Sequence, residues 1–348
     1  MIKNKFIIIF FMTIKMSHAA VYDLPADDQD VIGSVSSVTA KYEDTLVDIA
    51  RRNGLGYLEI IQANPDVNPW LPGEGKEIIL PNKFILPPGP RKGLVLNLAE
   101  YRMYYYPEAS LGETPKVHTF PMSIGRINWE TPTGLAKIIG MARNPTWYPP
   151  KSVREEHAAE GDPLPAIVPP GPENPLGTRV LRLNMPGYLI HGTNRPAGVG
   201  MRVSHGCIRM FPEDIEFLYD RISLKTNVRI IDVPIKIGWD GDNLVVEAHR
   251  PLEKKQIKPE KITEYIPTID EDKNSLNVNE KFKDPLTYVT EQFILATKKR
   301  RGKLDWRIIE RATKQLNGIP VIAGKSLSNF DYPNDETIKN ATSGVAFQ

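Results

Sequence analysis

The sequence predicts a mainly β central domain with few helices, a small βααβ module before it and an α/β extension after it. Short apolar strands separated by Gly, Pro and Asn turns recur across residues 93–233. Helical periodicity is confined to a few short segments. The 31 prolines cluster near residues 81–90 and 145–175, where they indicate a stiff linker and loops.

Composition excludes several classes of protein. A hydrophobic fraction of 41% and a charged fraction of 25% are ordinary for a soluble globular chain. The net charge of +2 gives no electrostatic argument for a nucleic-acid partner. We therefore expect a globular monomer that binds no nucleic acid.

The first 19 residues have the pattern of an export signal. Lys3 and Lys5 precede an apolar run over 6–14, and small residues stand at the place where cleavage after Ala19 would occur. Lys15 keeps the apolar run shorter than the roughly 18–20 residues that a membrane span needs. Residues 1–19 are predicted to be a signal peptide, with an uncleaved anchor as the alternative.

Residues 38–86 form the predicted βααβ module. A strand over 34–41 precedes a helix whose Leu46 and Ile49 share one face, a second helix ends at Asn64, and a strand over 77–81 closes the unit. DTL at 44–46, IA at 49–50, Ile60, Asn64, Gly75 and ILP at 79–81 resemble a LysM domain. That resemblance implies binding to polymers of N-acetylglucosamine; the alternative is a packing module that binds nothing.

The central domain is predicted to be a β-sandwich with one helix, which begins at Pro212. Its strands are expected over 94–98, 102–106, 117–124, 136–142, 179–184, 188–191 and 227–232. The proline-rich segment 147–176 is either a plain connection or a lid. The extension, residues 234–348, shows two strands around a turn at 238–243, then two helical faces, and its role is open. A basic run at 298–301 is interpreted as a solvated helix end.

Cys207 is the only cysteine and lies in the segment SHGCIRM, residues 204–210. In an exported chain it has no partner for an internal disulfide, so chemistry is the favoured role. A thiol attacks as the thiolate and needs a base, and both His205 and His191 are candidates that spacing alone does not separate. Gly206 allows close approach of a substrate, and Arg209 suits a carboxylate.

HGTN at 191–194 followed by SHGCIRM at 204–210 resembles the signature of the YkuD-type L,D-transpeptidases. The wider match includes IG at 124–125, TPTG at 131–134, PPGP at 169–172 and NPLG at 174–177, and it spans residues 93–233. The resemblance implies that Cys207 is the nucleophile and that His191 takes and returns its proton. It implies supporting or oxyanion roles for His205, Gly206 and Ser204, with His205 either orienting His191 or binding substrate. Substrate contacts are expected from Arg209, Gly192, Thr193 and Asn194.

The implied reaction is acyl transfer on peptidoglycan in the periplasm, with no metal or organic cofactor. Cys207 would form a thioester with the third residue of a tetrapeptide stem, release D-alanine and pass the acyl group to an amine. The acceptor stays open between a second stem, which gives a 3–3 crosslink, and a lysine of an outer-membrane protein. A hydrolase that uses water is the alternative, and a non-enzymatic protein that binds peptidoglycan stems and glycan is the third.

Overall fold

A computed structural model describes residues 20–253 and 284–327, so the predicted signal peptide lies outside the described residues. The strands along the described chain are β1 Ala20–Asp23, β2 Val31–Gly33, β3 Ser36–Thr39, β4 Glu77–Leu80, β5 Lys83–Ile85, β6 Gly93–Asn97, β7 Arg102–Tyr106, β8 Lys116–Pro121, β9 Ile124–Gly125, β10 Gly134–Arg143, β11 Arg179–Leu183, β12 Leu189–His191, β13 Arg202–Ser204, β14 Ile208–Arg209, β15 Asn227–Ile231, β16 Ile235–Asp240, β17 Asn243–Ala248, β18 Gly302–Leu304 and β19 Val321–Ser326. The helices are α1 Leu46–Arg52, α2 Tyr57–Ala63, α3 Lys151–Ala159, α4 Pro212–Tyr219, α5 Pro285–Thr297 and α6 Trp306–Gln315.

Nine strands form one hydrogen-bonded series in the order β1-β8-β7-β6-β15-β10-β11-β12-β14. The long strand β10 pairs with β15 through residues 134–137 and with β11 through residues 138–143, with an irregularity at Ile138. Phe120 near one end of the series and Ile190 near the other belong to the same buried cluster. The series therefore curves around a shared apolar core, and the expectation of a mainly β central domain is confirmed.

The βααβ order predicted for the first module is present as β3, α1, α2 and β4. Thr45 and Asp48 cap α1 reciprocally, and Leu46 and Ile49 are fully buried. The buried Asn64 amide donates to Ile79 O and accepts from Ile79 N–H, which ties α2 to β4. Glycan binding by this module stays a prediction.

The module is docked directly on the central domain. Glu59 of α2 accepts two hydrogen bonds from the fully buried Arg102 of β7, at 2.6 and 2.8 Å. The Tyr57 N–H donates to Val199 O, and a Cβ on Gly200 would come within 2.4 Å of the Tyr57 nitrogen. The loop between the HGTN and SHGCIRM segments therefore packs against the first module.

The extension is an antiparallel sheet in the order β16-β17-β19-β18 with α5 and α6 packed on it. Its two strands around the 238–243 turn and its two helices were predicted. Lys236 of β16 extends out of this sheet and donates to Glu100, at 2.7 Å, and to Ile85 O, at 2.6 Å. Within the basic run at 298–301, Arg300 pairs with Asp242 and stacks on Trp239, so it is tied into the fold rather than simply solvated.

One sequence expectation was wrong. The central domain contains a second helix, α3, inside the proline-rich segment, where prolines on both sides hide a short helical pattern. Two further strands, β1 and β2, form before the first module, where each pairs as a short partner strand with β8 or β5. Among the described residues, no helix combines the length and apolar character needed to cross a bilayer.

Candidate active site

Two short parallel strands bring the HGTN and SHGCIRM segments together. Ile190 of β12 pairs with Ile208 of β14, and His191 pairs with Arg209. Both isoleucines are fully buried in the core. Side chains alternate along a strand, so the face opposite the two isoleucines carries His191, Cys207 and Arg209. In this register Cys207 lies beside Leu189.

The Cys207 thiol lies in a half-buried position against backbone. Its Sγ lies 3.5 Å from Gly187 O, and the Leu189 N–H faces the sulfur. Burial raises the pKa of the thiol, while the Leu189 N–H and the charge of Arg209 oppose that rise. At neutral pH the sulfur therefore carries its proton, and attack on a carbonyl requires a base.

His191 is a buried, neutral imidazole. Burial lowers its pKa to about 3, the charge of Arg209 adds to the shift, and the hydrogen bond with Gly192 opposes it. Nδ1 lies 2.6 Å from Gly192 O, so this nitrogen holds the proton and donates it to that carbonyl. The other nitrogen, Nε2, is left as a proton acceptor.

The turn before Cys207 is held by hydroxyl groups from two segments. Ser204 donates to Cys207 O within the same turn. Thr131, from the TPTG segment, donates to Gly206 O at 2.8 Å and accepts from Gly125 N–H at 2.9 Å. Gly206 has φ +97°, a conformation that favours glycine. Among the described residues, neither the Gly206 nor the Cys207 N–H donates to a protein acceptor, so both are available to an oxyanion.

Arg209 brings an unbalanced positive charge to the sulfur. Burial lowers its pKa; Cys207 opposes this shift, while Arg195 and Arg126 add to it. Its Nε is buried with no hydrogen-bond partner in the described structure. A buried guanidinium without a carboxylate is costly, and an anionic ligand at this point would compensate it.

His205 faces a polar cluster that sequence reasoning missed. Its Nε2 lies 2.8 Å from Glu156 Oε2 and 2.9 Å from Arg126 Nη2, and its ring lies 5.0 Å from the ring of Trp129. Burial lowers the pKa of His205, with Glu156 opposing and Arg126 reinforcing the shift. The Nδ1 of His191 is bound by Gly192 O rather than by His205, so nothing in this geometry gives His205 an orienting role.

Thr193 and Asn194 lie beside a different cavity. The Thr193 hydroxyl accepts from Arg195 N–H, and the Asn194 amide donates to Glu173 O. Both residues line a cavity of about 200 Å³ together with Asn174 and Pro212, and Cys207 is not part of that lining. Gly192 packs against Ile215, whose Cγ2 a Cβ would meet at 3.1 Å. Contact of these three residues with substrate stays a prediction.

A group of side chains that could bind a metal ion lies away from this site. Within residues 20–253 and 284–327, the one suitable group is Glu100, Glu247 and His249. The ammonium of Lys236 lies between the two carboxylates, at 2.7 and 2.9 Å, and fills the position that a cation would take.

Comparisons with known proteins identify the family to which the chain is similar. The YkuD family, the L,D-transpeptidase catalytic domain, matches residues 91–230. The chain is 41% identical over 212 residues to probable L,D-transpeptidase YcfS of Escherichia coli K12, covering 60% of this chain and 65% of that protein. It is 38% identical over 249 residues to probable L,D-transpeptidase ErfK/SrfK of the same organism, covering 70% of this chain and 78% of that protein. It thus spans just under two thirds of YcfS and more than three quarters of ErfK/SrfK.

A β domain with a thiol, a neutral histidine and an unpaired arginine on one face defines a candidate acyl-transfer protein. The chain belongs to the L,D-transpeptidase family, as the coverage of ErfK/SrfK at 38% identity shows.

Proposed function

We propose that the chain is an L,D-transpeptidase that crosslinks peptidoglycan or attaches a protein to it. One observation carries the proposal: Cys207, the neutral His191 and the unpaired Arg209 lie on one face of the β12–β14 pair. This arrangement supplies a nucleophile, a base and a site for a substrate carboxylate.

In the first step Cys207 Sγ attacks the carbonyl carbon of the third stem residue, a diamino acid. The thiol proton passes to Nε2 of His191, and the Gly206 and Cys207 N–H groups bind the developing oxyanion. The bond from that carbonyl carbon to the D-alanine nitrogen then breaks, and His191 returns the proton to the departing amine. The product is a thioester on Cys207 and free D-alanine.

In the second step an amine attacks the thioester carbonyl. His191 takes a proton from the amine and gives one to the leaving sulfur, which restores the resting thiol. An amine on a second stem yields a 3–3 crosslink, and a lysine of an outer-membrane protein yields an attached protein. No metal or organic cofactor takes part in this sequence of steps.

The first module and the N-terminal segment complete the proposal. The module has a cavity of about 300 Å³ whose lining includes Asp66, Lys76 and Glu77, polar groups that suit a glycan. Residues 1–19 direct export and are cleaved after Ala19, and the mature chain acts as a monomer in the periplasm.

Mass spectrometry of muropeptides tests the proposal. Purified protein is incubated with disaccharide-tetrapeptides, with Cys207→Ala measured in parallel. A dimer lighter than two tetrapeptide monomers by one D-alanine molecule, formed by wild type alone, is the expected result. Dimer formation by Cys207→Ala at the wild-type rate would contradict the proposal.

The same experiment separates the two other candidates. A tripeptide product without dimer favours the hydrolase that uses water as acceptor. Adding a lysine-bearing peptide then distinguishes a hydrolase from a transpeptidase that lacked its protein acceptor. Binding of glycan with no change in any muropeptide favours a non-enzymatic role, and circular dichroism confirms that the variant is folded.

A further inference from the structure

The cluster beside His205 contains an anion-binding pair that an internal carboxylate fills. One Glu156 oxygen contacts Arg126 Nη2, and the other lies 2.8 Å from His205 Nε2. Arg126 is itself placed by its N–H, which donates to Ser204 O one residue before His205. His205 therefore lies on the same turn as Cys207, and Arg126 is hydrogen-bonded to that turn from the segment after β9.

Besides Glu156, the helix α3 contacts the domain through Val153 and through the ring of His157, which lies 6.0 Å from the ring of His205. Val153 is the one buried residue of α3, and most of its remaining residues are exposed. Side-chain exposures of 35% for Arg126 and 29% for Glu156 leave their ion pair open to solvent. An ion pair of this kind contributes little net free energy, so another carboxylate can compete for it.

We propose that Arg126 and His205 form a subsite for a free carboxylate of the peptide substrate, and that Glu156 occupies this subsite until the substrate displaces it. The inference rests on the proposed function, since the substrate is the tetrapeptide stem. The guanidinium supplies charge and the imidazole supplies an N–H donor, the two features that a carboxylate requires. Displacement of Glu156 releases α3 from the side of the Cys207 turn.

Binding to a chemically inactive protein tests the subsite without catalysis. Cys207→Ala and Cys207→Ala/Glu156→Gln are titrated with the disaccharide-tetrapeptide by calorimetry. Removing the competing negative charge should tighten binding by about fivefold, the size expected from a partly exposed ion pair. Glu155→Gln in the same background is the matched control, because Glu155 lies on the exposed side of α3 and pairs with Lys151. It should leave the affinity unchanged.

Two modified stems identify the carboxylate. One carries a C-terminal amide on D-alanine, and the other carries an amide in place of the side-chain carboxylate of the diamino acid. The gain from Glu156→Gln should vanish for the stem that lacks the carboxylate bound by Arg126 and His205, and persist for the other. In a protein that also carries Arg126→Gln, Glu156→Gln should no longer tighten the binding of either modified stem.

Several results would overturn the subsite. These are a gain that persists in the Arg126→Gln protein, no gain with the unmodified stem, or no binding of the unmodified stem to the Glu156→Gln protein. A fall in kcat in the otherwise wild-type enzyme, with no change in affinity, would instead make Glu156 a positioning residue for His205. If the binding results hold while wild type forms neither a dimer nor an adduct with the lysine-bearing peptide, the proposed transpeptidation fails and the subsite stands.

Discussion

Two groups of charges in this protein, one buried and one half-buried, differ in how completely they are paired. Beneath the extension, Lys236 contacts Glu100 and Glu247, and Glu247 also lies 2.6 Å from His249. At the active site, among the described residues, Arg209 has a buried Nε without a partner, Arg195 adds positive charge near it, and the charge of Arg126 is balanced by Glu156. The first group satisfies itself, whereas the second has an excess of positive charge.

The difference separates a structural role from a binding role. A closed group of charges holds β16 and β17 against the central sheet and has nothing to offer a ligand. An excess of one sign at a half-buried thiol lowers stability unless a ligand of opposite charge arrives. A substitution that removes a charge from the first group should therefore lower stability. A substitution that removes a charge from the second group should lower activity instead.

The largest effect is expected from Lys236→Met. This change leaves Glu100 and Glu247 buried together without their shared cation, in a position where Lys236 is 1% exposed. The free energy of unfolding should fall by about 3–5 kcal/mol, the cost of breaking a buried ion pair. Urea denaturation followed by circular dichroism measures it.

Lys314→Met is the control for this change. Lys314 pairs with Glu310 at 2.7 Å on the exposed face of α6, where such a pair contributes less than about 1 kcal/mol. Equal destabilisation by the two substitutions would show that the buried group of charges does not hold the extension in place.

Arg209→Met should lower activity and leave stability unchanged. The change removes a half-buried cation that has no carboxylate partner among the described residues, so the melting temperature should not fall. The value of kcat/KM for a tetrapeptide donor should fall about 100-fold, since a hydrogen bond to a charged group contributes about 1.5–3 kcal/mol. Steady-state kinetics and differential scanning calorimetry measure the two effects.

Arg182→Met provides the matched control on an exposed position of β11. It should leave both kcat/KM and the melting temperature close to those of wild type. A large loss of stability in Arg209→Met with intact activity would assign Arg209 to the structural group of charges instead.

The same contrast explains which features the sequence could reveal. The seven predicted strands of the central domain, the helix after Pro212 and the βααβ order follow from local periodicity, and the structure confirms them; the short strands β13 and β14 beside Cys207 were not predicted. Cys207 and His191 stand out because their motifs are contiguous. Glu156 does not, because it meets His205 and Arg126 only after α3 folds back over a separation of 49 residues from His205. Lys236 likewise contacts Glu100 across 136 residues, a pairing that no local pattern predicts.

The smallest effect concerns the pH dependence that a neutral buried histidine imposes. The pKa of His191 is about 3 in the folded chain, against about 6.5 when unfolded, so between these values only the unfolded chain binds the proton. This contribution to stability is fully present above pH 6.5 and is lost as the pH falls towards 3. The free energy of unfolding should fall by an amount that approaches 1.4 kcal/mol per pH unit. His191→Gln cannot titrate at this position. Between pH 6 and pH 4 its free energy of unfolding should therefore fall less steeply than that of wild type, by a difference that approaches 1.4 kcal/mol per pH unit. Urea denaturation of both proteins at the two pH values measures the difference. Identical slopes would mean that His191 can be charged in the folded protein, and the proton acceptor for Cys207 would then have to be sought at His205.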